Sequence, residues 1–123
     1  MEKLHDLKRR GIISDASRIV FVDDGSKDRT WELVKGLYGS HEEIKGLRFA
    51  HNRGHQNAIL AGMMYARTYC DYTITIDADL QQDINAMEDF IKAYEDGSEI
   101  VFGVRNSRNT DGIIKKLSAT LFY

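Results

Sequence analysis

Four runs rich in β-branched and aliphatic residues, centred near Val20, Leu47, Ile74 and Val101, recur about one βα unit apart. The segments between them carry apolar residues at helical spacing. Strands alternating with helices restrict the chain to a parallel sheet with right-handed crossovers. The expected fold is therefore α/β, a Rossmann-like, mostly parallel sheet flanked by helices. The units share no sequence similarity, so the rhythm reflects topology rather than duplication. At 123 residues, 42% hydrophobic and 29% charged, the chain has the size and composition of one globular domain with its own core.

In chain order, residues 1–10 set Leu4 and Leu7 among charges, a short helix that Gly11 ends. Residues 18–23 read as a buried strand, followed by an Asp24-Gly25-Ser26 turn. Asp28 suits the N-cap of a helix carrying Trp31, Leu33, Val34 and Leu37, which Gly39 closes. Residues 44–50 form a second, half-buried strand, 51–54 a loop, and 56–68 a helix rich in Ala, Leu and Met. Residues 72–77 are the third expected strand. Asp83 caps a helix with Met87, Phe90, Ile91 and Tyr94 on one face. Residues 99–104 are the fourth expected strand, and 113–123 follow a final helix pattern.

This order brings Asp23, Asp24, Asn52, Asp77, Asp79 and Arg105 to one edge, at the carboxyl ends of the strands. Open α/β sheets bind ligands there. The two carboxylates of Asp77-Ala78-Asp79 would repel each other unless a cation lies between them, and a divalent metal holding phosphate oxygens is the usual solution. A plain acidic turn explains the same residues. In Asp23-Asp24-Gly25-Ser26, Gly25 permits positive φ and close backbone approach, while Asp24 can accept from a ring N–H or a ribose hydroxyl. A tight turn leading to the Asp28 cap is the other reading. His51-Asn52-Arg53-Gly54-His55-Gln56 opens a helix at a strand end, as an anion-contacting loop would. Gly54 breaks the helical geometry that His51 and His55 would need as i, i+4 metal ligands, so loop polarity explains them better. Arg105-Asn106-Ser107-Arg108 with Lys115 and Lys116 is a basic segment suited to a diphosphate or phosphate-bearing acceptor, or else a surface loop.

A net charge of −2 argues against nucleic acid as a partner. The longest apolar run, residues 58–66, is far short of a membrane span. The charged opening segment does not resemble a signal peptide. Cys70 is the only cysteine, which excludes intrachain disulfides and cysteine-rich metal sites and fits a reducing, cytoplasmic setting. The chain contains no proline, where average usage predicts about six.

Together these stretches resemble family 2 glycosyltransferases of the GT-A fold. The branch they resemble loads a sugar onto a polyprenyl phosphate, as dolichol-phosphate mannose synthase and bactoprenol glucosyltransferase relatives do. Phe21-Val22-Asp23-Asp24-Gly25-Ser26-Lys27-Asp28 is similar to the family's nucleotide-binding turn, and Asn52-Arg53-Gly54-His55-Gln56-Asn57-Ala58 to its second loop. Asp77-Ala78-Asp79-Leu80-Gln81 matches the D-x-D metal motif. Gly103-Val104-Arg105, Lys115-Lys116 and Phe122-Tyr123 resemble the segment leading to the acceptor region. The resemblance implies a nucleotide-diphospho-sugar donor, with a UDP-sugar preferred and a GDP-sugar the alternative. Asp23, Asp24, Gly25, Ser26, Asn52, Gly54, Asp77 and Arg105 would contact that donor. It implies Mg²⁺ or Mn²⁺ on Asp79, the principal ligand and a catalytic residue, with Asp77 and Gln81 completing the shell. It implies inverting transfer of a hexose to a lipid phosphate, with Asp111 as the candidate base.

The family opens with a strand and a proline-bearing turn, which residues 1–123 lack, and continues beyond Tyr123. The resemblance therefore implies a partial catalytic domain, the nucleotide-sugar-binding half, cut at both ends. An exposed sheet edge would then invite self-association, and the full-length protein would sit at the cytoplasmic face of the membrane. Two rivals stand beside this reading. One is a catalytically silent fragment that at most binds nucleotide. The other is a receiver-like signalling domain, whose acidic pair should end the first strand and whose later Thr/Ser and Lys strand-end residues are not evident.

Overall fold

The computed structural model describes residues 1–104. The chain divides into two compact units, Met1–Met87 and a second that begins at Glu88.

In the first unit, helix α1 (Glu2–Arg9) buries Leu4 and Leu7, which share a face one turn apart. Asp6 accepts hydrogen bonds from Arg9 at 2.6 Å and Arg10 at 3.0 Å, the i, i+3 and i, i+4 pairs expected on a helix surface. Gly11 ends the helix as expected. Its φ is 69°, its N–H donates to Lys8 O, and the Ile12 N–H donates to Leu7 O, the paired bonds of a Schellman motif. His5 Nε2 lies 3.3 Å from Glu43 Oε1 and ties α1 to the approach of the second strand.

Strands β1 (Ile19–Asp23) and β2 (Ile44–Arg48) pair in parallel, from Ile19 opposite Ile44 to Asp23 opposite Arg48. Helix α2 (Thr30–Ser40) forms the crossover between them, and α3 (His55–Ala66) follows β2. Gly46 lets α2 approach closely: a Cβ there would lie 3.0 Å from Val34 Cγ1 and 3.1 Å from the Trp31 ring. A Cβ at Gly62 of α3 would lie 3.1 Å from Val22 Cγ2 on β1. Phe21 pairs with Gly46 and Val22 with Leu47. Successive strand residues point to opposite faces, so α2 and α3 cover opposite sides of the pair. This is the parallel α/β architecture that the rhythm predicted. Its core includes Leu4, Leu7, Val34, Ile44 and Ala58, with Ile44 fully enclosed.

Both ends of α2 differ in detail from expectation, and α3 runs over His55–Ala66 rather than 56–68. Asp28 Oδ1 accepts the Thr30 N–H at 2.9 Å, capping α2 from one position before the residue that flanks the helix. Gly39 does not close α2, because it holds no left-handed backbone conformation, and the helix runs on to Ser40. Asp83 caps as expected, accepting the Asn85 N–H at 2.9 Å, and opens a 3₁₀ turn (Ile84–Ala86) ahead of the next helix.

Helix α4 (Met87–Glu95), which belongs to the second unit from Glu88 onward, buries Ile91 and is closed by Gly97, φ 96°. The Gly97 and Ser98 N–H groups donate to Tyr94 and Ala93 carbonyls in a second Schellman closure.

Residues 72–77 and 99–104 are not strands. Their β-branched content favours an extended backbone, but a strand exists only against a hydrogen-bonding edge, and neither segment has one among the described residues. Ile76, Ile100, Phe102 and Val104 are accordingly exposed. The helix expected over residues 113–123 lies outside the described residues. No helix among the described residues is long and apolar enough to cross a membrane.

Candidate functional site

The site is built on the carboxyl end of β1. Asp23 closes that strand with its side chain 1% exposed. Its Oδ1 accepts the Ser26 N–H at 2.9 Å, which folds the turn back onto the strand end. Its Oδ2 lies 3.2 Å from Arg48 Nε, close enough for electrostatic attraction, but it receives no directed hydrogen bond among the described residues. A buried carboxylate oxygen in that state has unused acceptor capacity. Arg48 spans the strand end: Nη2 donates to Ser26 O at 3.0 Å, and the guanidinium lies 5.8 Å from the centre of the Trp31 ring. Sequence reasoning missed Arg48. The available signal was register, since parallel pairing sets Arg48 directly opposite Asp23.

The next residue joins two loops. Asp24 Oδ1 accepts the Arg53 N–H at 2.6 Å, and Oδ2 accepts the Gly54 N–H at 2.9 Å. Asn52 Oδ1 accepts from the same Gly54 N–H at 3.1 Å. Gly25, φ 71°, makes the approach possible: a Cβ there would fall 2.6 Å from His51 C and 2.7 Å from Asn52 N. Gly54, φ 91°, then turns the chain into α3, and Asn57 Nδ2 donates to Arg53 O at 2.7 Å. Asp24, Gly25, Asn52 and Gly54 thus form one connected turn-and-loop unit. In the structure, the acceptor groups of Asp24 serve that unit.

The D-x-D segment meets the same loop through His55, whose Nε2 lies 3.7 Å from Asp77 Oδ1. Asp77 is also held by Gln82, which accepts the Asp77 N–H at 3.2 Å and donates from Nε2 to Asp77 Oδ2 at 3.1 Å. Asp79 Oδ1 accepts the Gln81 N–H at 3.0 Å. Between Asp79 and Gln81, Leu80 holds φ 59° and is 96% exposed. Left-handed backbone is uncommon for a residue with a branched side chain and marks a locally strained turn. Among the described residues, no group of three or more His, Cys, Asp or Glu side chains is arranged to hold a metal ion. Arg105 and Asp111, with Lys115, Lys116, Phe122 and Tyr123, lie outside the described residues.

Three segments distant in sequence, 23–26, 51–55 and 77–82, are therefore linked at one end of the sheet. The Asp24 and Gly25 contacts join the first two, and the His55–Asp77 contact brings in the third.

Comparison with known proteins adds independent information. Residues 2–120 match the model of the family described as glycosyl transferase family 2. A protein named as the uncharacterized glycosyltransferase YkoT of Bacillus subtilis (strain 168) is 48% identical over 122 residues, covering 99% of this chain and 36% of that protein. The bactoprenol glucosyl transferase of Shigella phage SfV is 37% identical over 105 residues, covering 85% of this chain and 34% of that protein. The chain thus spans about a third of the length of the curated relatives it matches.

Proposed function

The chain belongs to glycosyl transferase family 2, and from that premise we propose that it carries the donor site of an inverting hexosyltransferase acting on a lipid phosphate. The donor is a nucleotide-diphospho-sugar, with UDP-glucose preferred, and the acceptor is a polyprenyl phosphate. The observation that carries this reading is the linkage of the three strand-end segments into one polar edge. The similarity to a protein named bactoprenol glucosyl transferase supports the lipid acceptor.

Each group on that edge suits a part of the donor. Asp23, buried and held by Ser26 and Arg48, would brace the turn against which the nucleoside rests. Ser26 and the Asp24–Asn52–Gly54 unit would shape the walls around the nucleoside. Asp77, Asp79 and the Gln81 amide oxygen are hard oxygen donors, the chemistry that Mg²⁺ and Mn²⁺ select. Too few to enclose a cation, they suit the usual Mg²⁺ arrangement of one or two carboxylates with substrate phosphates and water completing the shell. Such a cation, when bound, offsets the negative charge that builds on the departing nucleoside diphosphate. Arg105 would add to that neutralisation.

In the transfer, an acceptor oxygen attacks the anomeric carbon from the face opposite the diphosphate, and the bond to the leaving oxygen breaks, inverting the centre. A phosphate monoester, with a second pKa of about 6, is already largely ionised near neutral pH and needs little help from a base. A hydroxyl acceptor would need one, for which Asp111 is the candidate. A lipid acceptor would place the full-length protein at the cytoplasmic face of the membrane.

Calorimetric titration of UDP and GDP into the chain, with and without Mn²⁺, tests the reading. Mn²⁺-dependent UDP binding that disappears in Asp79→Ala is the expected result. Preference for GDP would change the donor, and absence of binding by the folded chain would overturn the donor site in this chain. Binding without turnover on a polyprenyl phosphate would identify a nucleotide-binding piece without transferase activity.

A further inference from the structure

We propose that Gln82, which lies outside the D-x-D triplet, is the positioning residue that fixes the Asp77 carboxylate for metal and diphosphate binding. This inference rests on the donor-site reading above. Its geometric basis is a two-point clasp. The Gln82 carboxamide accepts from the Asp77 main chain at 3.2 Å and donates to the Asp77 side chain at 3.1 Å. Among side chains, an amide is suited to this task because it presents an acceptor and a donor on one rigid plane. A carboxylate at position 82 could accept the N–H but would repel Oδ2, and a lysine could donate but not accept.

The loop between the partners is shaped to close that clasp. Asp79 Oδ1 accepts the Gln81 N–H, and Leu80 takes left-handed backbone, so the chain doubles back within five residues. A strained residue persists where surrounding contacts over-determine it. With Oδ2 engaged by Gln82 and Oδ1 facing His55 at 3.7 Å, both Asp77 oxygens have defined surroundings although the side chain is half exposed. An exposed carboxylate without such support samples several rotamers, and ordering it would weaken cation binding. Outer-sphere partners of metal ligands commonly affect affinity for this reason.

The test uses Gln82→Met, which keeps length and volume but removes both hydrogen bonds. In the metal-free chain, amide exchange of Asp77 should quicken, while the amides that bond between β1 and β2 stay protected and report an intact fold. Mn²⁺-dependent UDP binding should weaken about tenfold, as expected for loss of an outer-sphere partner. If Gln82 acts through Asp77, the same substitution should cost nothing further in an Asp77→Ala background, because the partners share one function. Unchanged Asp77 exchange in Gln82→Met would overturn the clasp. Unchanged UDP affinity, or an equal loss with and without Asp77, would overturn the positioning role. Absence of Mn²⁺-dependent binding by the unsubstituted chain would instead overturn the donor-site reading, and the inference with it.

Discussion

At Gly25 a methyl group would lie 2.6–2.8 Å from the backbone of His51 and Asn52, and the main chain there holds φ 71°. Neither neighbour is a flexible side-chain end, so Gly25→Ala must separate the two loops or strain the turn. Left-handed backbone and overpacking together set the expected destabilisation at ~2–4 kcal/mol, measurable by urea unfolding. On the proposed donor-site reading, nucleotide affinity should fall with it. A substitution tolerated within a few tenths of a kcal/mol would mean that the loops are not held as described. The sequence offered close approach at Gly25 as one of two readings, beside a tight turn, and did not show what approached. Asp24 illustrates the same limit. A carboxylate after a strand reads as a ligand contact, yet both its oxygens accept from Arg53 and Gly54, partners 29 and 30 residues away. Arg48 carried no motif at all, and its place beside Asp23 became visible only with the strand register.

Helices and turns were legible where the deciding contacts are local. Gly11 closes α1 where expected, and Asp83 caps its turn through bonds that span two residues. The segments at 72–77 and 99–104 were misread as strands because composition speaks for extended backbone, whereas pairing depends on an edge elsewhere in the chain. Several element ends are fastened by carboxylates whose pKa values fall below the ordinary range. Asp6 is lowered chiefly by its hydrogen bond from Arg10, aided by Arg9. Asp28 is lowered by its bonds with Thr30, and Glu43 by its own backbone N–H and then by His5. A carboxylate with a lowered folded pKa contributes stability above its unfolded pKa and loses it as pH falls through the folded one. Thermal stability should therefore decline as pH drops below about 4, and Asp28→Asn should flatten part of that decline. Asp28 is exposed and Asp6 and Glu43 are part-exposed, so added salt should reduce the effect of the Asp6 and Glu43 pairs. A melting temperature independent of pH across that window would contradict these assignments.

Across the molecule, the described chain accounts for only part of the length of its relatives, and its sheet has two strands. In the parallel pair, Ile19 and Asp23 bond toward β2, so the main-chain groups of Val20 and Val22 face away from it. Among the described residues no strand pairs with that outer edge. Apolar side chains such as Leu60, Met63 and Met64 of α3 are also exposed. An open edge and uncovered apolar surface favour association between chains. Sedimentation equilibrium should show the average mass rising above that of the monomer as concentration increases, and a monomer at all concentrations would refute this. The tie from Asp24 to the Arg53 and Gly54 amides has a further consequence. It closes about thirty residues of chain, and the entropy lost in that closure is recovered only once β1 and β2 have paired. The two loops should therefore take shape late in folding, after the sheet beneath them has settled. A ligand gripping both loops would act as a latch that delays unravelling of the strands themselves.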